Sequence, residues 1–254
     1  MVIIHHHTHS LLLLNMIKLR DHILYEDEQL VTINKPAGLL TIPGRDAKEV
    51  SLKQLLKEHY GEIFTVHRLD KDTSGVVVFA KNETSHKTLS QLFEARETEK
   101  IYHGLVLGSP SEDSGVINEP ISEHPVKKGM MTVYRKGKES ITEYKVEERF
   151  RLYTWMQFKI LTGRTHQIRV HMKHLGHPVV CDELYGDGKP VFISAIKKKA
   201  YKLSREEETE RPVMARLALH ASLLRFELDG KAYSLEAPMP KDLRAVLQQL
   251  RKLC

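Results

Sequence analysis

The chain has 254 residues, 41% hydrophobic and 28% charged, the balance of a soluble protein long enough to bury a core without disulfide staples. No apolar run approaches the roughly 20 residues that cross a bilayer, and Leu11–Leu14 are too short for a secretory core, so a cytoplasmic protein with no membrane association is expected. Two distant cysteines, Cys181 and Cys254, exclude a disulfide framework and zinc spacing, and a formal charge of +6 favours a polyanionic partner.

Residues 1–15, with His5-His6-His7-Thr8-His9, differ in character from the rest of the chain; they are expected to be a disordered tail and are set aside from the fold. From Met16 short strand signals alternate with helices. Ile23–Tyr25 and Leu30–Ile33 read as strands, and Gly38, Pro43 and Gly44 bracket a turn-rich loop. Ser51 and Gln54 form a capping box for a helix with the apolar face Leu52, Leu55 and Leu56, stopped at Gly61. The β-branched run Gly75–Ala80 predicts a buried strand, Thr84–Ala95 a helix and Lys100–Leu107 another strand. A two-residue period marks Ile141–Glu148 and Tyr153–Leu161; in the second, Met156, Phe158 and Ile160 share one face and Trp155, Gln157 and Lys159 the other. Arg164–Leu175 is expected to begin as a strand end and continue as a helix stopped by Gly176 and Pro178. Leu219–Phe226 and Tyr233–Leu235 close the strand set, and Leu243, Val246, Leu247, Leu250 and Leu253 stripe a C-terminal helix. Many strands, interspersed helices and no regular βαβ rhythm predict a mixed α+β domain.

Charge is uneven along the chain. Between Glu148 and Asp182 there is no acidic residue, where an even spread would place about four. The same stretch carries Arg149, Arg151, Lys159, Arg164, Arg169 and Lys173. A second basic run, Lys197-Lys198-Lys199 with Lys202 and Arg205, meets Glu206-Glu207-Glu208 and reads as a self-neutralising, solvated helix. His166, His171, His174 and His177 sit at helical spacing, but no carboxylate joins them before Asp182, so no metal site is expected.

The densest polar run is Val66-His67-Arg68-Leu69-Asp70-Lys71-Asp72-Thr73-Ser74-Gly75, which feeds directly into the apolar Val76–Phe79. A polar loop entering a buried strand puts its side chains at a sheet edge, where rigidity and solvent access coincide. Arg68 and Lys71 flank Asp70 and favour its ionised form. Such a carboxylate can serve as base, nucleophile or ligand, although Asp, Thr and Ser also cap turns with no chemistry attached.

The whole string His-Arg-Leu-Asp-x-x-Thr-Ser-Gly resembles the signature loop of the RluA-type RNA pseudouridine synthases. The resemblance continues in order: Asn34-Lys35-Pro36-Ala37-Gly38-Leu39 is similar to the family's first motif, Lys100-Ile101-Tyr102 to its Lys-x-Tyr segment, and Thr162–His171 to its third motif. Gly176-His177-Pro178 and Leu219-His220-Ala221 also match. Several ordered matches across residues 30–235 are far more specific than one pattern. Two departures are visible: Cys181 stands before Asp182 where the family usually has Gly-Asp, and the first motif begins too early for the N-terminal S4-like RNA-binding domain of many relatives.

The resemblance implies a mixed, mostly antiparallel central sheet flanked by helices, forming one catalytic domain over residues 16–254. It implies cofactor-free isomerisation of uridine in structured RNA, with ribosomal RNA the preferred substrate and transfer RNA the runner-up, by a protein expected to be monomeric. Asp70 is implied as the essential carboxylate, by sugar attack or by proton removal. Tyr102 is implied to stack on the base, Ile168 to pack beneath it and Arg169 to pair with Asp70. Arg68 would fill the place of the extruded base, at a cost of a few kcal/mol for extrusion; His67 would orient the loop, and Arg164 would contact substrate. A kinase loop is excluded by context, since neither a glycine-rich phosphate loop nor Asp-Phe-Gly accompanies the His-Arg-Leu-Asp run. A non-catalytic RNA-binding module is the stronger rival, and Asp70 argues against it, because a carboxylate in a cationic groove repels phosphate.

Overall fold

The computed structural model describes residues 19–44, 49–197 and 209–253. The histidine-bearing tail, most of the basic-then-acidic stretch and Cys254 lie outside these. In chain order the elements are a 3-10 turn (Leu19–His22), β1 (Ile23–Glu26), β2 (Leu30–Lys35), α1 (Leu52–Tyr60), β3 (Phe64–Thr65), β4 (Ser74–Ala80), α2 (Glu83–Glu94) and β5 (Glu99–Leu107). Then come β6 (Ser114–Asn118), β7 (Ile121–Glu123), β8 (Met131–Val133), β9 (Ile141–Arg149), β10 (Tyr153–Ile160), α3 (Gln167–His174) and α4 (Ile193–Ile196). The chain closes with β11 (Leu219–Leu228), β12 (Lys231–Glu236) and α5 (Lys241–Leu253). The mixed α+β class with a mostly antiparallel sheet and flanking helices is what the chain adopts. It divides into two compact units, one running to Glu99 and taken up again over Ala221–Pro238, the other covering Lys100–His220 and Met239–Cys254.

In the first unit β4 is the centre. Every residue of Ser-Gly-Val-Val-Val-Phe-Ala is buried, as its β-branched run requires of a strand covered on both faces. It pairs antiparallel with β2, from Leu30↔Ala80 to Lys35↔Gly75, and has β3 beside its far end and β11 as a neighbour. Gly75 is where the strands come closest. Its φ is +120°, and a Cβ there would lie 2.1 Å from the Ala221 carbonyl oxygen, so the signature glycine and the Leu-His-Ala segment meet at a contact that only glycine permits. The capping box opens α1 as expected: Ser51 Oγ accepts from Gln54 N–H, the Gln54 side chain accepts from Ser51 N–H, and Gly61 ends the helix. Asn82 caps α2.

In the second unit β10 pairs antiparallel with β5, placing Phe158 opposite Tyr102, and with β9; β6 extends β9. Met156, Phe158 and Ile160 are buried as their period predicts, but Trp155 is buried as well, so this end of the strand is covered on both faces. β7 and β8 form a separate two-stranded hairpin of three-residue strands too short to show a period. α5 buries Leu243, Val246, Leu247 and Leu250. One element differs from its sequence reading. Residues 161–166 form no strand end before α3; they make a turn that closes on His166 in the left-handed region, φ 56° and ψ 22°, and the helix begins only at Gln167.

Candidate active site

The loop between β3 and β4 carries the signature string, and three anchors fix it. At its start the ladder of β3 on β4 stops at Thr65↔Phe79, and the His67 ring takes over: Nε2 accepts the Val78 N–H at 3.1 Å while the ring stacks on Phe93, centroids 4.7 Å apart. An accepting Nε2 carries no proton, so His67 is held as a neutral positioning group. In the middle, Leu69 is buried and clamped on both sides of its peptide by Thr41, whose Oγ1 accepts the Leu69 N–H and donates to the Leu69 carbonyl. At the turn, Thr73 N–H closes on the Asp70 carbonyl at 3.2 Å, and Gly38 N–H donates to the Lys71 carbonyl.

Lys35 completes this frame from β2. Its side chain is fully buried and Nζ donates to the carbonyls of Pro36, Leu39 and Lys71 at 2.7–2.9 Å. A buried ammonium is tolerated only with its protons satisfied, and here it ties the first motif to the signature loop. Along the loop, Arg68 is exposed, Leu69 buried and Asp70 half-buried. The Lys71 ammonium pairs with Glu49, which raises its pKa.

In the second unit the third motif forms the last turn before α3 and the helix itself. Gln167 is the organiser. Its Oε1 accepts from Thr162 Oγ1 and Arg164 N–H, and its Nε2 donates to the Ile141 carbonyl and Thr142 Oγ1. Thr142 and His171 continue the chain of hydrogen bonds: His171 Nε2 meets the Glu119 carbonyl, which can only accept, so the neutral ring takes the Thr142 hydroxyl proton at Nδ1. Burial holds the His171 pKa down. Arg164 is partly exposed and gives Nε to the Glu139 carbonyl; Ile168 is buried. Tyr102, on β5, is buried to within 9%.

Arg169 has a partner that sequence reasoning missed. Its Nε and Nη2 donate to the two carboxylate oxygens of Asp182 at 2.7 and 2.8 Å, a bidentate pair with the carboxylate fully buried. Asp182 also accepts the N–H groups of Leu184 and Tyr185, and the Tyr185 ring lies 5.0 Å from the guanidinium. The signal was present, since Asp182 is the first acid after the acid-free stretch. That stretch is therefore less bare than it reads: Arg169 is matched by Asp182, and Arg149 by Asp113.

Cys181, next to this aspartate, stands at φ 59°, the left-handed region that glycine adopts freely. The family's usual Gly-Asp thus has a backbone reason, and this chain carries a side chain there at a cost of roughly 1–2 kcal/mol. Burial pushes the Cys181 thiol up to about 11, which removes it as a nucleophile. Among the described residues no group of three His, Cys, Asp or Glu side chains is arranged to hold a metal.

This fold, with an anchored aspartate loop and the Gln-Ile-Arg helix, is that of an isomerase acting on RNA uridine. Residues 29–174 match the family described as RNA pseudouridylate synthase, and the chain belongs to that family, to its RluA type. Its relatives include the ribosomal large subunit pseudouridine synthase D of Escherichia coli strain K12, 36% identical over 245 residues that cover 90% of this chain and 70% of that one. The protein of the same name in Haemophilus ducreyi is 36% identical over 238 residues, 91% and 70% of the two chains. Among solved structures, human RNA pseudouridylate synthase domain containing 4 superposes with a TM-score of 0.71 at 27% identity, covering 96% of this chain and 98% of its own. Human RNA pseudouridylate synthase domain containing 1 gives 0.67 at 26%, covering 91% and 94%.

Proposed function

We propose that this pseudouridine synthase acts on large-subunit ribosomal RNA, in the cytoplasm, as a monomer and without a cofactor, with Asp70 as the essential carboxylate. The observation that carries the assignment of Asp70 is its setting: a half-buried acid on a loop whose neighbours are locked by Thr41, Lys35 and His67. Preorganisation of this kind lowers the cost of placing a reacting group. The reaction exchanges a glycosidic C–N bond for a C–C bond within one nucleoside, so electrons balance with no external oxidant or reductant. Tyr102 is proposed to stack on the uracil, Ile168 to pack beneath it and Arg164 to contact the RNA. Arg169, whose guanidinium is held in plane by Asp182, is proposed to pair with Asp70, as the family resemblance implies. Arg68 is proposed to occupy the place of the extruded base. The names of the relatives, with 36% identity over nine-tenths of this chain, support the ribosomal substrate.

The test is pseudouridine formation in large-subunit ribosomal RNA transcripts by wild type and Asp70→Ala. Conversion by the wild type alone, with RNA binding retained by both, is expected; conversion by both, or by neither, overturns the assignment. Arg169→Met is expected to reduce turnover more than RNA affinity.

A further inference from the structure

The second unit contains a cleft that the proposed chemistry does not use. It lies between the β7–β8 hairpin and the C-terminal half of α3 and has a volume of about 310 Å³. Lys127 and Lys173 bring ammonium groups to it and His174 an imidazole, while Met130, Met131 and Val133 form an apolar side. Among the described residues no carboxylate lines it. The hairpin and its flanks carry the same sign: residues 122–138 hold five lysines and arginines against the single acid Glu123.

The cleft is preformed. Tyr185 Oη accepts the Met131 N–H at 2.8 Å, and its ring packs with Ile121 and Val170 against Met130, Met131 and Val133. His124 Nδ1 accepts the N–H groups of Val126 and Lys127, which fixes the direction in which Lys127 leaves the turn. The same Tyr185 lies against Arg169, so the hairpin and α3 share one support.

We propose that this cleft binds one unpaired nucleotide of the RNA substrate, other than the target uridine, with its phosphate between Lys127 and Lys173 and its base against Met130, Met131 and Val133. The volume is at the small end of the range for ligand pockets and suits a single nucleotide, with no room for a duplex. Two ammonium groups with no opposing acid select a phosphate. The thioethers give a soft, polarisable surface to the face of a base. The proposal rests on the pseudouridine synthase reading for the identity of the polyanion, and on the cleft's own geometry for the rest.

The experiment measures binding and turnover of a large-subunit ribosomal RNA transcript with Lys127→Ala/Lys173→Ala and with a control, Lys53→Ala/Lys57→Ala on α1. Each lost contact to single-stranded phosphate should lower the slope of log affinity against log salt by about 0.7. The cleft variant is therefore expected to lose about 1.4 in slope, with KM raised and kcat within twofold of wild type, while the control keeps the wild-type slope. Equal slopes in wild type and cleft variant, or equal losses in cleft variant and control, overturn the proposal. A second measurement scans abasic sites through the RNA around the target. Wild type should show a loss of affinity at one position away from the target, and Met130→Ala should lose that dependence; a scan with no such position, or one unchanged by Met130→Ala, overturns the base contact. Binding is read without catalysis, so a chain that fails to form pseudouridine yet shows the slope change refutes the catalytic reading and leaves the cleft standing.

Discussion

Gly75 and Asp182 have consequences of opposite kind. At Gly75 an added Cβ meets backbone at 2.1 Å on a left-handed φ, and backbone has no rotamer with which to yield. Gly75→Ala is expected to destabilise the fold by more than about 3 kcal/mol, read as a shift in urea midpoint. Gly38→Ala is the matched comparison, since its φ is +83° with nothing within 4 Å of the added Cβ; it should cost only about 1–2 kcal/mol. Asp182 acts through charge instead of shape. Asp182→Asn keeps a side chain that can accept from the neighbouring amides but removes the carboxylate charge that the buried Arg169 guanidinium meets in two hydrogen bonds, a loss of about 3–5 kcal/mol. Adding Arg169→Met to that variant should recover part of the loss, and a double-mutant cycle showing additivity would remove the ion pair from the account.

At the scale of the element, legibility followed range. The capping box of α1 was readable because all its partners lie within four residues, and Ser51→Ala should cost about 1 kcal/mol in a thermal or urea melt. The burial of β4 was readable from its β-branched run, and the Asp70 loop from a string of types that together resemble one family. What was not readable depends on distant partners. Gln167 looks like an ordinary polar residue until Thr142, 25 positions away, and Ile141 are brought beneath it. The partner of Arg169 shows in sequence only as the first acid after an acid-free stretch, 13 residues on, and a spacing of that length names no pairing by itself. The β7–β8 hairpin was missed because three-residue strands around a lysine- and glycine-bearing tip carry no period. The strand end expected at Arg164 failed because His166 adopts a left-handed turn conformation, which side-chain pattern alone does not report.

For the whole molecule, buried histidines set the acid side of stability. Burial lowers the pKa of His103 and of His171 below their ordinary 6.5, so the unfolded chain binds protons that the folded one refuses. Their contribution is fully present above pH 6.5 and is lost as pH falls below it. Asp27 adds a second window. Burial opposes its charge, but hydrogen bonds from Leu30, Tyr233, Gln29 and Tyr25 prevail and hold it below its ordinary 3.8, a stabilisation lost only as pH falls beneath that value. Melting temperature against pH should therefore decline in two stages, and His171→Gln should flatten the upper one; a single transition near pH 4 in the wild type would contradict the assignment.

The contact between Gly75 and Ala221 also fixes an order of events during synthesis. A ribosome releases the chain from its N-terminus, so the strand that carries the Asp70 loop emerges long before Ala221–Pro238, the segment that completes its unit. Until then β4 lacks β11 as a neighbour, and the loop has no finished edge to stand on. A released chain ending at residue 220 should leave the first unit open to protease, and one extended through Pro238 should close it. The aspartate is thus brought into working position only after the segment that bears the arginine helix has already been made.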